Sequence, residues 1–229
     1  MEALHLVDKM DLKVILLAVL AISASAEKYE LMVADEEVFH SCPDPEPGTL
    51  DIYGLADLSE LSTTMDADGV TLTGNATLRW DVQPEDRIEM SAKLLYMDRG
   101  TWTPTVFSLL SKDFCKVMYD KNQLWYKYWT GHIINDVKNC INVAGVSTKF
   151  TLALYTLFIS LKYSALQTKY IHEKYVLSLT ATAMGPVTEG RYKANIVFRA
   201  YDSSGELRPT RICVEVQGDL SKVRRSKPF

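Results

Sequence analysis

Past residue 26, no stretch of this chain approaches the ~20 consecutive apolar residues that a membrane-spanning helix requires, so no integral membrane span is expected. Histidine is scarce. His5, His40, His132 and His172 form no H-E-x-x-H pair and show no metal-ligand spacing. The four cysteines, Cys42, Cys115, Cys140 and Cys213, include no C-x-x-C pair, which argues against a zinc site or thioredoxin-like redox chemistry. A G-x-S-x-G elbow, a P-loop and a G-x-G-x-x-G turn are all missing. The acid pairs Glu36-Glu37 and Glu85-Asp86 lie among turn residues, where solvated carboxylates are the ordinary state and nothing marks a catalytic dyad. The chain therefore reads as non-enzymatic, with no catalytic residue, cofactor or metal.

Charge of either sign is also not in excess. Lys13 precedes the apolar run Val14–Ile22 and then Ser23-Ala-Ser-Ala26, a positive, apolar and small-residue order that reads as a secretory signal peptide over 1–26. The competing reading is an N-terminal membrane anchor. Met10 makes a more ordinary start than Met1, which would leave 1–9 untranslated. Of 25 basic and 29 acidic residues, the leader removes Lys9, Lys13, Glu2, Asp8 and Asp11, leaving 23 against 26. So small a net charge excludes a polyanion binder, and no nucleic-acid partner is expected. Lys222-Val-Arg-Arg-Ser-Lys227 forms a basic tail over 221–229, either solvated or weakly drawn to an anionic membrane surface.

What the chain does have is an even cysteine count behind a secretory leader, which implies two disulfides in an extracellular protein. Three connectivities are open. The preferred one pairs Cys115 with Cys140, closing an aromatic segment on itself, and Cys42 with Cys213, tying the start of a 27–220 domain to its last strand. The strands announce themselves by alternation. Val70, Leu72, Ala76, Leu78, Trp80 and Val82 alternate with polar residues, and Asn75 of the Asn75-Ala-Thr77 glycosylation sequon falls on the polar face. Ile88 to Tyr96 repeats the period after Pro84-Glu-Asp86, so the two runs read as a hairpin. Tyr175 to Ala183, Tyr192 to Ala200 and Ile212 to Val216 follow the same grammar. The expected fold is all-β: an antiparallel β-sandwich or β-cup with an apolar cavity and one or two short helical segments.

Between the β-blocks, Val106, Phe107, Leu109, Leu110, Phe114, Val117 and Met118 fit helical spacing better than alternation. Trp125-Tyr-Lys-Tyr-Trp129 follows, the densest aromatic run in the chain. These rings either fill the core or line a cavity mouth, where an amphipathic ring faces both ligand and water. On the second reading Trp80, Tyr96, Phe114, Trp125, Tyr126, Tyr128 and Trp129 line an apolar site.

Residues 146–167 share neither period. A splice donor GTAAGT translates as Val-Ser, matching Val146-Ser147, and an acceptor ending in CTGCAG translates as Leu-Gln, matching Leu166-Gln167. The span therefore reads as a retained intron, against the alternative of an inserted amphipathic or lid segment.

Four motifs carry a resemblance: Gly100-Thr-Trp-Thr-Pro-Thr-Val-Phe107, Asp113-Phe-Cys-Lys-Val-Met-Tyr-Asp-Lys-Asn122, Trp125-Tyr-Lys-Tyr-Trp129 and Gly190-Arg-Tyr-Lys193. Over Tyr29 to Leu220 the chain resembles the secreted insect chemosensory proteins of the CheA/CheB type, distant relatives of the ganglioside activator protein. The resemblance implies a β-cup around a lipid-sized cavity. It also implies binding of a small hydrophobic ligand (lipid, hydrocarbon or pheromone) in chemosensation, with a chemosensory receptor as a further partner. No active site carries over from it, and the chain departs from the family at 146–167.

Overall fold

The computed structural model describes residues 26–143, 168–184 and 187–223. The leader, the span 146–167, the turn at Gly185-Pro186 and the end of the basic tail, expectations of the sequence, lie outside or almost wholly outside the described residues.

Alternation survives at the level of single strands. On β5 (Gly69–Leu78), Val70, Leu72, Ala76 and Leu78 are buried, and Trp80 and Val82 continue that side beyond the strand end. On β10 (Gly190–Tyr201), Tyr192, Phe198 and Ala200 are buried, and on β11 (Leu207–Lys222), Ile212, Val214 and Val216 are. Such a period of two puts one face of each strand into the interior.

The assembly of these strands corrects the expected fold. The protein is not a closed all-β sandwich or cup but a mixed α/β structure on two open sheets. An eight-stranded sheet runs β7 (Thr101–Ser111), β6 (Arg87–Asp98), β10, β11, β1 (Ala26–Val33), β9 (Leu179–Met184), with β2 (His40–Ser41) and β3 (Thr49–Leu50) added along β11. A three-stranded sheet runs β4 (Ala56–Asp66), β5, β8 (Lys169–Leu177). The two outer strands of the large sheet, β7 and β9, do not pair with each other, so it stays open. Three strands cannot cover the inner face of eight, and helical chain fills the remainder: α1 (Ile52–Leu55), α2 (Phe114–Val117), α3 (Leu124–Tyr128) and a 3-10 turn at Thr130–His132.

Two local readings change with it. β5 and β6 are not a hairpin, because β5 pairs with β4 and β8 whereas β6 pairs with β7 and β10. Alternation reports which face is buried but carries no information about the partner strand. The stretch read as helical from Val106 is instead the second half of β7. There Thr105, Val106 and Phe107 stand opposite the single Leu94, a bulge that breaks the period of two. Helix begins only at Phe114, where the Asp113 carboxylate caps it by accepting from the Lys116 amide.

The sheets meet at a corner made by one run of chain. β8 ends at Leu177 in the small sheet and β9 begins at Leu179 in the large one, with Ser178 between them. Ser178 marks the change, its amide donating to Val176 O at 3.0 Å and its hydroxyl to Glu30 of β1 at 2.8 Å. Both disulfides are present in the preferred pairing, Cys42–Cys213 and Cys115–Cys140.

Candidate functional site

The aromatic segment folds into a flap that bridges the two sheets. Cys115–Cys140 closes its base. The Tyr119 and Tyr170 hydroxyls both donate to the Asn139 carbonyl, at 2.9 and 3.1 Å. Burial pushes the Tyr119 phenol up to about 12, and burial together with the neighbouring Tyr119 raises Tyr170 further, so both remain protonated donors. The buried Thr130 hydroxyl donates to Met118 O at 2.6 Å. Asn135 acts as a surrogate strand on the free edge of β8, donating to Lys169 O at 2.7 Å and accepting from the Ile171 amide at 2.8 Å. At the other end of α3 the Tyr128 hydroxyl donates to Thr180 O on β9, and Lys127 Nζ lies 2.7 Å from the Thr180 hydroxyl.

The seven expected lining residues do not form one surface. Trp80 and Phe114 are wholly buried in the main core with Met118, Ile133 and Phe198. Phe114 touches Phe198 edge-on at 5.3 Å, Trp125 at 5.3 Å and Trp129 at 6.1 Å. Burying a ring of that size contributes roughly 1.5–3 kcal/mol, and here it stabilises the fold. Trp125 and Trp129 are half-buried against the same core, the Trp125 indole donating to Val117 O at 3.2 Å. Tyr128 instead packs on a second cluster, formed by Val33, Val38, Val70, Leu72, Leu177 and Val216. Tyr126 is half-buried over Gly131, where an added Cβ would lie 2.5 Å from its carbonyl oxygen. Tyr96 is tilted against Tyr192 at 5.0 Å and lies over Gly190, whose φ of +141° glycine adopts without strain.

Strand register brings together a surface that the aromatic pattern did not announce. On the inner face of the large sheet, Leu94 pairs with Ala194 and Ala92 with Ile196, and all four are only half-buried. Leu109 continues the second row on β7, and Val216 continues the first on β11. The strip lies between the buried Met90–Phe198 row and the Tyr96–Tyr192 pair, and both core clusters border it. It is apolar, floored by small side chains, and without a charged group on its own face. The signal in the sequence was the alanine at inward positions of two strands, which leaves room where a larger residue would fill the interior.

Asn75 sits on the outer face of the small sheet, half-buried, its amide 2.9 Å from Glu60, which also pairs with Lys169. Among the described residues no group of His, Cys, Asp and Glu is arranged to hold a metal ion. Nor, among them, is any helix long and apolar enough to cross a membrane. No protein-family model matches this sequence, and no curated protein matches it.

Proposed function

We propose that this chain is a secreted, non-enzymatic binding protein for small hydrophobic ligands, a lipid, hydrocarbon or pheromone, acting in chemosensation. The ligand lies along the open inner strip of the large sheet rather than inside a closed cup. The observation that carries this reading is the half-buried apolar floor Ala92–Leu94–Ala194–Ile196, bounded by the Tyr96–Tyr192 pair and by two core clusters that the aromatic flap joins. Desolvating about 200 Å2 of apolar ligand surface would contribute on the order of 5 kcal/mol before ordering costs. The leader, the two disulfides and a glycan at Asn75 belong to the same extracellular reading, and the CheA/CheB resemblance points to the same ligand class.

A second reading, a secreted interaction module that acts at a receptor, draws on one feature. The bulged outer strand β7 exposes Val106, Phe107 and Leu110 at one side edge of the large sheet. One experiment separates the two. The protein is recovered from secretion and extracted for mass spectrometry of bound lipid and hydrocarbon, and its tryptophan fluorescence is titrated with fatty-acid, hydrocarbon and ester probes. Saturable quenching or a co-purified ligand is expected. An empty protein whose fluorescence ignores all three probes sinks the carrier reading.

A further inference from the structure

Two histidines sit where the flap meets β8. The His132 ring, in the 3-10 turn, lies flat on Tyr175 of β8 at 3.8 Å and 5°. Its Nδ1 is 2.8 Å from Glu173 Oε1 and its Nε2 is 3.1 Å from Lys127 O. The next residue, Ile133, forms a β-bridge with His172, and the Ile134 amide donates to Ile171 O at 2.9 Å. His172 points inward at 7 % exposure. Its Nδ1 has no hydrogen-bond partner among the described residues, and Gly74 of β5 stands opposite it in the small sheet.

We infer that His172 is an acid-sensitive latch on the flap: a proton on its buried ring frees α3 and the Thr130–His132 turn from the β8–β9 corner. The groups around the ring make that proton costly. The titratable and charged neighbours are the buried Tyr170, with Glu173, Lys174 and Tyr175, on β8, and Lys127 and His132 on α3 and the turn. β5 presents only the Gly74 backbone opposite His172, and Glu60 of β4 is engaged with Asn75 and Lys169 on the outer face. The adjacent carboxylate on β8, Glu173, is already held by His132.

Burial above all holds the His172 imidazole below its ordinary 6.5; the Gly74 backbone pulls it upward, and the nearby His132 adds a smaller effect in the downward direction. Below about pH 6.5 an undocked, solvated His172 takes a proton that the docked ring refuses, so docking weakens as the pH falls. The weakening stops growing only once the pH drops beneath the lowered docked value. That opening would discharge a ligand is a consequence that rests on the carrier reading above; the latch itself does not.

The test is hydrogen-exchange mass spectrometry on the full chain between about pH 7.5 and about pH 5, expressed as protection factors to remove intrinsic pH effects. Protection over residues 124–134 should fall at least about tenfold further than that of β10 and β11, and His172→Phe should abolish the difference. His172→Gln, which also cannot charge, repeats the test if the phenylalanine variant does not fold. Wild-type protection at 124–134 that tracks β10 across the range overturns the latch, as does an unchanged acid response in a folded variant. A hydrocarbon probe titrated in parallel keeps the two ideas apart. Failure to bind at any pH removes the carrier, whereas binding with a pH-independent flap removes only the latch.

Discussion

Lys193 Nζ lies 2.8 Å from Glu215 Oε1, with the two side chains only 5 % and 4 % exposed, on the outer face of the central strand pair. The ammonium also sits 4.9 Å from the centre of the Trp102 ring, and Asn195 joins Glu215 at 3.1 Å to the Cys42 sulfur at 3.2 Å. Removing one member strands a charge away from water, which costs about 3–5 kcal/mol, whereas replacing both with apolar groups is often near neutral. Urea unfolding of Lys193→Met should therefore show a loss of that size, and Lys193→Met with Glu215→Leu should recover most of it. A single variant as stable as the double would remove the ion pair from any part in stability.

The open strip and the buried aromatics separate under mutation. Ala194→Phe fills half-exposed space between Leu94 and Val216, so probe affinity should drop at least about tenfold while the melting temperature moves by only a few degrees. Trp80→Ala removes a wholly buried ring whose indole donates to Thr210 at 3.2 Å, and should cost about 3–5 kcal/mol of stability. Paired probe titrations and thermal melts check both. Equal loss of binding and stability in Ala194→Phe would place that residue in the core instead.

The Cys115–Cys140 bridge closes a loop spanning 25 positions that contains nearly the whole flap. In the chain-entropy account a loop of that size is worth about 3–4 kcal/mol. The double variant Cys115→Ser with Cys140→Ser should melt correspondingly lower. Its earliest exchange losses should appear at 113–135, with β10 and β11 protected until global unfolding.

Both flanks of the span 146–167 are fixed in the same small region. Asn139 Nδ2 is 3.4 Å from the Thr168 hydroxyl, the Leu78 amide donates to Thr168 O at 2.9 Å, and Asn142 donates to Pro84 O and Asp86 O at 2.8 and 2.9 Å. A chain deleted of 146–167, joining Gly145 to Thr168, should fold with both disulfides intact and a far-ultraviolet spectrum matching the full chain. The transcript should lack those codons. Failure of the deleted chain to oxidise to the same pairing, or transcripts that uniformly keep the codons, would count against an intron.

Much of the single-strand structure was legible because a period of two needs only one strand to be read. Val70 to Leu78 and Tyr192 to Ala200 show it. The cysteine pairing was legible for a similar reason, since each bridge ties an obvious unit to an obvious end. Partnership was not. Nothing in the alternation of Ile88 to Tyr96 says that its neighbour is β10, more than 90 positions away, rather than β5 next door. Nor does Ser178 announce that the chain changes sheets there. At the site, aromatic density drew attention to Trp80 and Phe114, whose large apolar surfaces are what the interior takes first. The open surface depends on Ala92 and Ala194, and small residues leave little trace in a sequence.

β11 sits between β10 on one side and β1, β2 and β3 on the other, and it is the last described strand of the chain. The first described strand pairs with it directly, Val33 opposite Gly218, and the Val223 amide reaches Lys28 O at 2.8 Å. A nascent chain therefore cannot complete the large sheet until it has been synthesised through β11. β1, β2 and β3 must wait with unpaired edges through more than 150 residues of translation, and Cys42 must wait for Cys213. Completion of the large sheet therefore follows the synthesis of β11. A truncation before Leu207 would remove the sheet's central strand rather than trim its end.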